Sequence, residues 1–505
     1  MRRSIRNVGV LLGLMLAPAG GAESATAQDQ ASVEEREVSA SKPNDLDWIL
    51  GGNGQESQFT DRVEELLEEN EAAKAGTVFP VEPKGLLVTG ANRKVSEAVT
   101  LSLSEVALAV SATDTRRIAV GANVSTPSGF RQAMFVSTDG GDTFVASQLP
   151  TTSPFAFLQS DPTLAWTEDD TLWAATIEGQ IGGGLQLKGQ SFRSDDGGAT
   201  WTFAGGFSGT ERIADRPTLW VDSSPFSSYR GSLYVIWHNG PVWVSRRSPG
   251  ATAWSPAVRL SPTDTHGFGG DLKTDIVGRI YSFWPDTTRN TIFVSTSDDG
   301  GAVFSPPVAV APIQKPFSQL NVAAAGRSPL NHVSAAVWKR LWKRRAFVAW
   351  YDPATPPATG ARIWFAASDD GGATWTPPRE VQPVAGAADQ FHPALTLDGI
   401  TGRLALSYTD TSGDPTALTT RRVVVTSNDF GDSWTAPKAL STERSDVLAA
   451  PAQIYGDYQS MVSHGARNWA AWTDRRTEAA TSVWLAEFRT TPFGILSVPI
   501  GGPKP

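Results

Sequence analysis

Residues 194–201 read Ser194-Asp195-Asp196-Gly197-Gly198-Ala199-Thr200-Trp201, and the same phrase returns four more times along the chain. The other copies are Ser137 to Phe144, Ser297 to Phe304, Ser368 to Trp375 and Ser427 to Trp434. All share the pattern Ser-x-Asp-x-Gly-x-(Thr/Ser/Val)-(Trp/Phe). Ser and Asp side chains bond the backbone of a turn, Gly supplies positive φ, and a terminal aromatic plugs a sheet. The phrase therefore predicts a hairpin between two strands. Its aspartates, Asp139, Asp196, Asp299, Asp370 and Asp429, are spaced 57, 103, 71 and 59 residues apart. The long gap fits two repeats, and Ser245 to Trp254 fills it as a degenerate copy that has lost the Asp and the Gly of the pattern.

Each copy sits at the same place in a longer unit. A strand such as Gly231 to Trp237, Gly278 to Trp284 or Arg345 to Trp350 precedes it. A more apolar strand lies further upstream, as in Asp161 to Trp166, Asp215 to Trp220 or His392 to Leu397. A short strand follows, as in Thr435 to Leu440. Four strands in roughly 50–70 residues is the arithmetic of a propeller blade, so the expected fold is an all-β propeller. Apolar strands begin near Glu105, Asp161, Asp215, Asp271, Val333, His392 and Asp457, which counts seven blades. Six is the alternative if one unit is not a full sheet. The last unit, 456–488, shows three strands, so Leu86 to Thr89 or the run 95–103 is expected to close the ring. Trp237, Trp284, Trp350 and Trp472 recur at one place in the second strand, which reads as inter-blade core.

The five copies resemble Asp-boxes, and residues 95–490 resemble the Asp-box (BNR-repeat) propellers of the sialidase superfamily. The resemblance implies that the boxes, with Asp139, Asp196, Asp299, Asp370 and Asp429, are structural and lie at the blade periphery. It also implies a glycan-acting protein of glycosidase type.

Composition narrows the rest. The chain has 505 residues, 40% of them hydrophobic, with 18 Trp, 22 Phe and a net charge of -9. Such content excludes wholesale disorder. The absence of cysteine removes disulfides, thiolate metal sites and Cys nucleophiles. An acidic balance without a long basic run argues against nucleic acid as a partner. Arg2, Arg3 and Arg6, the apolar run Val8 to Ala17 and the small-x-small triplet Ala25-Thr26-Ala27 read as a signal peptide over 1–27. Residues 28–76, with 13 acidic and 4 basic residues, read as an acidic linker in which Asp61 to Lys74 forms one short helix. The propeller with its lead-in and tail occupies 77–505. A secreted or periplasmic protein without a membrane span follows, and a monomer, since a closed propeller leaves no long edge to pair.

Ligands of propellers sit where the innermost strands begin. Aligned there, Glu105, Asp161, Arg216, His392 and Tyr458 occupy equivalent positions, with Asp215 and Asp457 just before two of them and Asp271 heading its own strand. Convergence of titratable groups in a concave mouth marks a site. Any one of these aspartates also fits the plainer role of capping a turn. Sialidase chemistry, as the resemblance implies it, takes a Tyr nucleophile polarised by a Glu, an Asp acid and three Arg on the substrate carboxylate. Catalytic candidates are therefore Tyr458, Asp457, Asp161, Asp215 and Glu105; substrate-binding candidates are Arg216, His392, Arg475 and Asp271, with Arg476 beside Arg475. The chain has no Phe/Tyr-Arg-Ile-Pro segment, which carries the first Arg in sialidases; Arg117-Ile-Ala119 and Arg212-Ile-Ala214 are partial echoes. Three readings follow: a diverged sialidase-like hydrolase, a non-catalytic glycan- or protein-binding propeller, and a polysaccharide lyase on uronate-containing glycans. None requires a cofactor. The identity of any metal stays open, and the acidic ring offers oxygen ligands of the kind a structural Ca²⁺ takes.

Overall fold

A computed structural model describes residues 87–490, apart from 128, 182–183, 316–319, 321, 326–328, 341, 385, 400–401, 447, 449–454 and 477–478. The leader, the acidic stretch with its expected helix, and the C-terminal tail lie outside the described residues. Seven antiparallel sheets make seven blades, each four strands deep when the ring closure is counted. Their innermost strands are Leu103–Val110, Ala156–Trp166, Asp215–Val221, Asp271–Thr274, Ser334–Arg340, Gln390–Leu397 and Ser460–His464. Closure comes from Leu87–Thr89, which pairs antiparallel with Ser482–Thr490, the last strand of blade seven. Arg93–Lys94 pairs further along that same strand.

The repeated phrase builds the hairpin between the third and fourth strands of blades one, two, four, five and six. In blade two the Ser194 hydroxyl donates to Asp196 Oδ1 at 2.7 Å and accepts the Gly198 N–H at 2.7 Å. Asp196 then accepts the Thr200 N–H at 2.9 Å and the Thr200 hydroxyl at 2.6 Å. Gly198 sits at φ +92°, which an L side chain rarely adopts. Around Asp370 and Asp429 the same four bonds recur. Blade three closes its hairpin without the Asp: Ala251 N–H donates to Ser248 O, and Trp254 still packs inward.

Trp237, Trp284, Trp350 and Trp472 are buried in four different inter-blade clusters. Truncating one such indole to Ala removes roughly 3–5 kcal/mol. Nearer the axis, side chains of one inner strand satisfy the backbone of the next. Thr163 accepts the Leu219 N–H, Thr218 donates to Gly270 O, Asp271 accepts the Ala335 N–H, and Ser334 accepts the Leu395 N–H. These ties fix the inner strands of blades two to six relative to one another, and the candidate site stands on the starts of the inner strands. The strands enclose an axial cavity of about 320 Å³ with Arg216, His332 and Tyr458 among its lining.

Candidate functional site

Four of the aligned positions share one unusual backbone state. Glu105, Asp161, Arg216 and His392 have φ of 58°, 59°, 46° and 52°, all left-handed. At each the ladder to the second strand slips: between Ser104 and Ala107, Ser160 and Thr163, Asp215 and Thr218, and Phe391 and Ala394. Three of the four precede proline, which pushes the preceding residue toward extended backbone. A non-glycine residue held left-handed costs roughly 1–2 kcal/mol. Such strain persists only where the surroundings over-determine it, and it concentrates at functional sites. In blade seven the left-handed residue is Gly456, where a Cβ would meet Glu105 Cγ at 2.4 Å and Glu105 N at 2.7 Å. Tyr458 stands two residues later, just before the strand Ser460–His464, and lines the axial cavity.

Asn123, on the second strand of blade one, organises the acidic side of the ring. Its Nδ2 donates to Glu105 Oε2 at 2.5 Å and to Ser160 Oγ at 3.0 Å. Its Oδ1 accepts from Gln132 Nε2 and from the Asp161 N–H. Ser160 in turn donates to Asp161 Oδ1 at 2.9 Å. The other Asp161 oxygen accepts the Arg216 N–H at 3.2 Å, and Asp215 accepts that same N–H at 3.0 Å. The Asp161 and Asp215 carboxyls thus meet at one backbone N–H, with their charges close enough to act on each other. Burial, and then the Asp161 charge, raise Asp215 well above the usual carboxylate range.

Arg216 organises the other side. Its guanidinium carbon lies 3.5 Å from the centroid of the Tyr458 ring. Nε donates to His332 Nδ1 at 2.8 Å, which leaves the hydrogen of a neutral imidazole on Nε2. Nη1 donates to Pro217 O and Thr218 Oγ1. His332 stacks on Tyr458 with ring centroids 5.7 Å apart and meets Phe268 edge-on. Phe268 also packs on His238, whose Nε2 lies 3.9 Å from Asp215 Oδ2. Burial, and then Arg216, lower His238 to about 3, so it is neutral near pH 7. The Tyr458 hydroxyl is buried and has no hydrogen-bond partner among the described residues. Burial, then the Asp161 charge, push it well above the ordinary phenol value.

The remaining candidates stand elsewhere in this frame. Asp457 joins the acidic group near Asp215 and Tyr458 and accepts the Leu330 N–H at 3.0 Å. His392 is buried against Phe391, and its carbonyl accepts from the buried Arg422. Asp271 bonds Lys273 Nζ at 2.5 Å and the Ala335 N–H, tying blade four to blade five. Arg475 donates to Asp446 O, and Arg476 pairs with Asp474 while lying over Trp484. Asp139, Asp196, Asp299, Asp370 and Asp429 all remain in their hairpins, within hydrogen-bond reach of their own turns. Among the described residues, no group of three or more His, Asp or Glu is arranged to hold a metal ion, and no helix is long and apolar enough to cross a membrane.

Neither Asn123 nor His332 is among the residues that the sequence singles out. Asn123 had a signal: it is a lone amide in the apolar strand Ile118–Thr126. His332 had less, since it stands just before Val333, where the inner strand of blade five was expected to begin.

No protein-family model matches the chain. A xyloglucanase from a Paenibacillus species is 30% identical over 130 residues, 23% of this chain, and the match spans 11% of the xyloglucanase's length. Among solved structures, an α-L-arabinofuranosidase of Fusarium graminearum is similar at a TM-score of 0.46 and 13% identity, over 79% of this chain and 98% of that enzyme. A leech intramolecular trans-sialidase gives 0.44 at 12% identity, over 68% of each chain. A Dyadobacter fermentans protein of unknown function gives 0.45 at 10% identity, over 80% of this chain and 99% of its own.

Proposed function

We propose that this protein is a glycan-acting hydrolase of the sialidase-like propeller type, exported and monomeric, with its chemistry on the axial ring. The observation that carries the reading is the carboxyl pair. Asp215 is buried against Asp161 and raised well above its ordinary value, so it holds a proton that a departing sugar oxygen can take. Tyr458 supplies the opposite group, an unpartnered hydroxyl beside Asp161. In the first step the Tyr458 oxygen bonds to the anomeric carbon while its proton passes to Asp161. The glycosidic C–O bond breaks, and the leaving oxygen takes the Asp215 proton. Water then attacks the anomeric carbon and gives a proton to Asp215, while the bond from that carbon to the Tyr458 oxygen breaks and Asp161 returns a proton to the departing Tyr458 oxygen. Arg216 is engaged by His332, Thr218 and the Tyr458 ring, whereas a sialic carboxylate calls for a free fork of arginines. A neutral sugar therefore suits this ring better than sialic acid. The 130-residue likeness to a xyloglucanase supports a glycan substrate.

Mass spectrometry of sugars released from neutral and sialylated glycans by the wild type and by Tyr458→Phe tests the reading. Product from the wild type, lost in the variant, is the expected result. A broad panel without product, or product undiminished in the variant, overturns it. One observation favours a non-catalytic glycan-binding propeller as the second reading: Glu105, Asp161, Asp215 and Asp457 are each only 5–8% exposed. Glycan binding without turnover would carry that reading.

A further inference from the structure

The inner strand of blade two differs from its neighbours. Ala156–Trp166 begins five residues before the left-handed Asp161, whereas Leu103–Val110 and Gln390–Leu397 begin two residues before theirs. At about 3.3 Å per residue, the extra three residues raise this edge roughly 10 Å above the ring. At its crest stand two of the most exposed apolar side chains among the described residues, Phe155 at 66% and Ile181 at 63%. The two are neighbours, since the Ile181 N–H donates to Phe155 O.

This crest is held from beneath. Glu178, fully buried, accepts the Thr152 N–H at 3.0 Å, the Thr152 hydroxyl at 2.5 Å and Gln159 Nε2 at 3.1 Å. Gln190 donates to the same Thr152 hydroxyl. Arg131, from blade one, donates to Phe157 O at 2.6 Å and braces the edge sideways. Gly179 leaves room for Phe157, whose ring would meet a Cβ there at 2.8 Å. A buried carboxylate fixes the turn that displays Phe155, so the exposed apolar pair has a set place above the ring.

Resting on the reading of the ring as a glycan site, we infer that this crest is a distal subsite for a polymeric glycan. Phe155 and Ile181 take the apolar face of a sugar several units from the bond on the ring, on the same strand that carries Asp161. The substrate class is a polysaccharide, and small glycosides do not reach the crest.

Affinity electrophoresis in gels containing xyloglucan or arabinan tests this with the wild type, Tyr458→Phe and the double variant Phe155→Ala/Ile181→Ser. Both positions of the double variant are exposed, and thermal unfolding checks that it folds. Retention of the wild type and of Tyr458→Phe is expected, with the double variant held roughly fivefold to tenfold less tightly, the scale of one aromatic contact. Equal retention of the double variant, or no retention of the wild type in either gel, overturns the subsite. Hydrolysis of small oligosaccharides, measured alongside, reports on the ring alone and separates failure of the crest from failure of the hydrolase reading.

Discussion

The molecule carries two sets of aspartates in opposite physical states. The five at the rim face their own turns, and hydrogen bonds from Thr200 hold Asp196 down at about 2. Their bonds close within four residues, and positive φ falls on glycine, where it costs little, with Phe430 of the last copy the exception at 59°. The pair at the axis, Asp161 and Asp215, is bonded across blades, and burial raises Asp215. There positive φ falls on Asp, Glu, Arg and His. Local satisfaction with relaxed backbone marks a fold element; non-local satisfaction with strained backbone marks a site.

The contrast can be broken at either end. The largest effect is expected from Tyr458→Phe, which should lower turnover by roughly 10³-fold or more if the hydroxyl forms the covalent bond. That variant should unfold no earlier than wild type in a thermal melt, because the lost hydroxyl had no partner. A large drop in its melting temperature would mean that the hydroxyl is structural. Asp215→Asn should cost about 10²-fold in product formation by removing the proposed acid, with the fold intact by circular dichroism.

A pH series sharpens the same point. Asp215 is raised in the folded state, so its contribution to stability is present below the unfolded carboxylate value and lost as pH rises through its own. The wild type should therefore lose melting temperature relative to Asp215→Asn as pH rises above the ordinary carboxylate value of about 4. Asp275 and Asp352, both raised to about 6 chiefly by burial, titrate in the same direction in both proteins and cancel in the comparison. A difference independent of pH would overturn the raised Asp215 carboxyl. The smallest effect belongs to the rim: Asp370→Ala should lower the melting temperature by roughly 1–3 °C and leave turnover within about twofold. Lost turnover there would erase the distinction.

How much was legible in the sequence follows the same division. The rim hairpins are local, so five copies of one phrase were enough to place blades and to align the inner strands. That alignment found Glu105, Asp161, Arg216 and His392, because one bulge recurs where three of them meet proline. Tyr458 was aligned with them, although the left-handed residue of its blade is Gly456. What the sequence could not express was the joining of blades. Asn123 touches Ser160 across 37 residues, and Arg216 reaches His332 across 116. Neither separation follows a period. The raised edge of blade two escaped as well, since its strand was expected from Asp161 and starts at Ala156.

The closure of the ring has a consequence for how the chain folds. Six blades are built from contiguous sequence and can form one by one, but the seventh needs both ends of the ring. Leu103 bonds Thr481 across 378 residues, and Leu87–Thr89 completes the sheet from the same side. So long a loop costs about 5 kcal/mol in chain entropy to close, and that cost falls on the final step. Closure should therefore limit the folding rate, and opening of the three-residue clasp should govern the lifetime of the native state. A circular permutant whose ends lie between blades three and four would move the seam, and its refolding would show whether the clasp sets the clock.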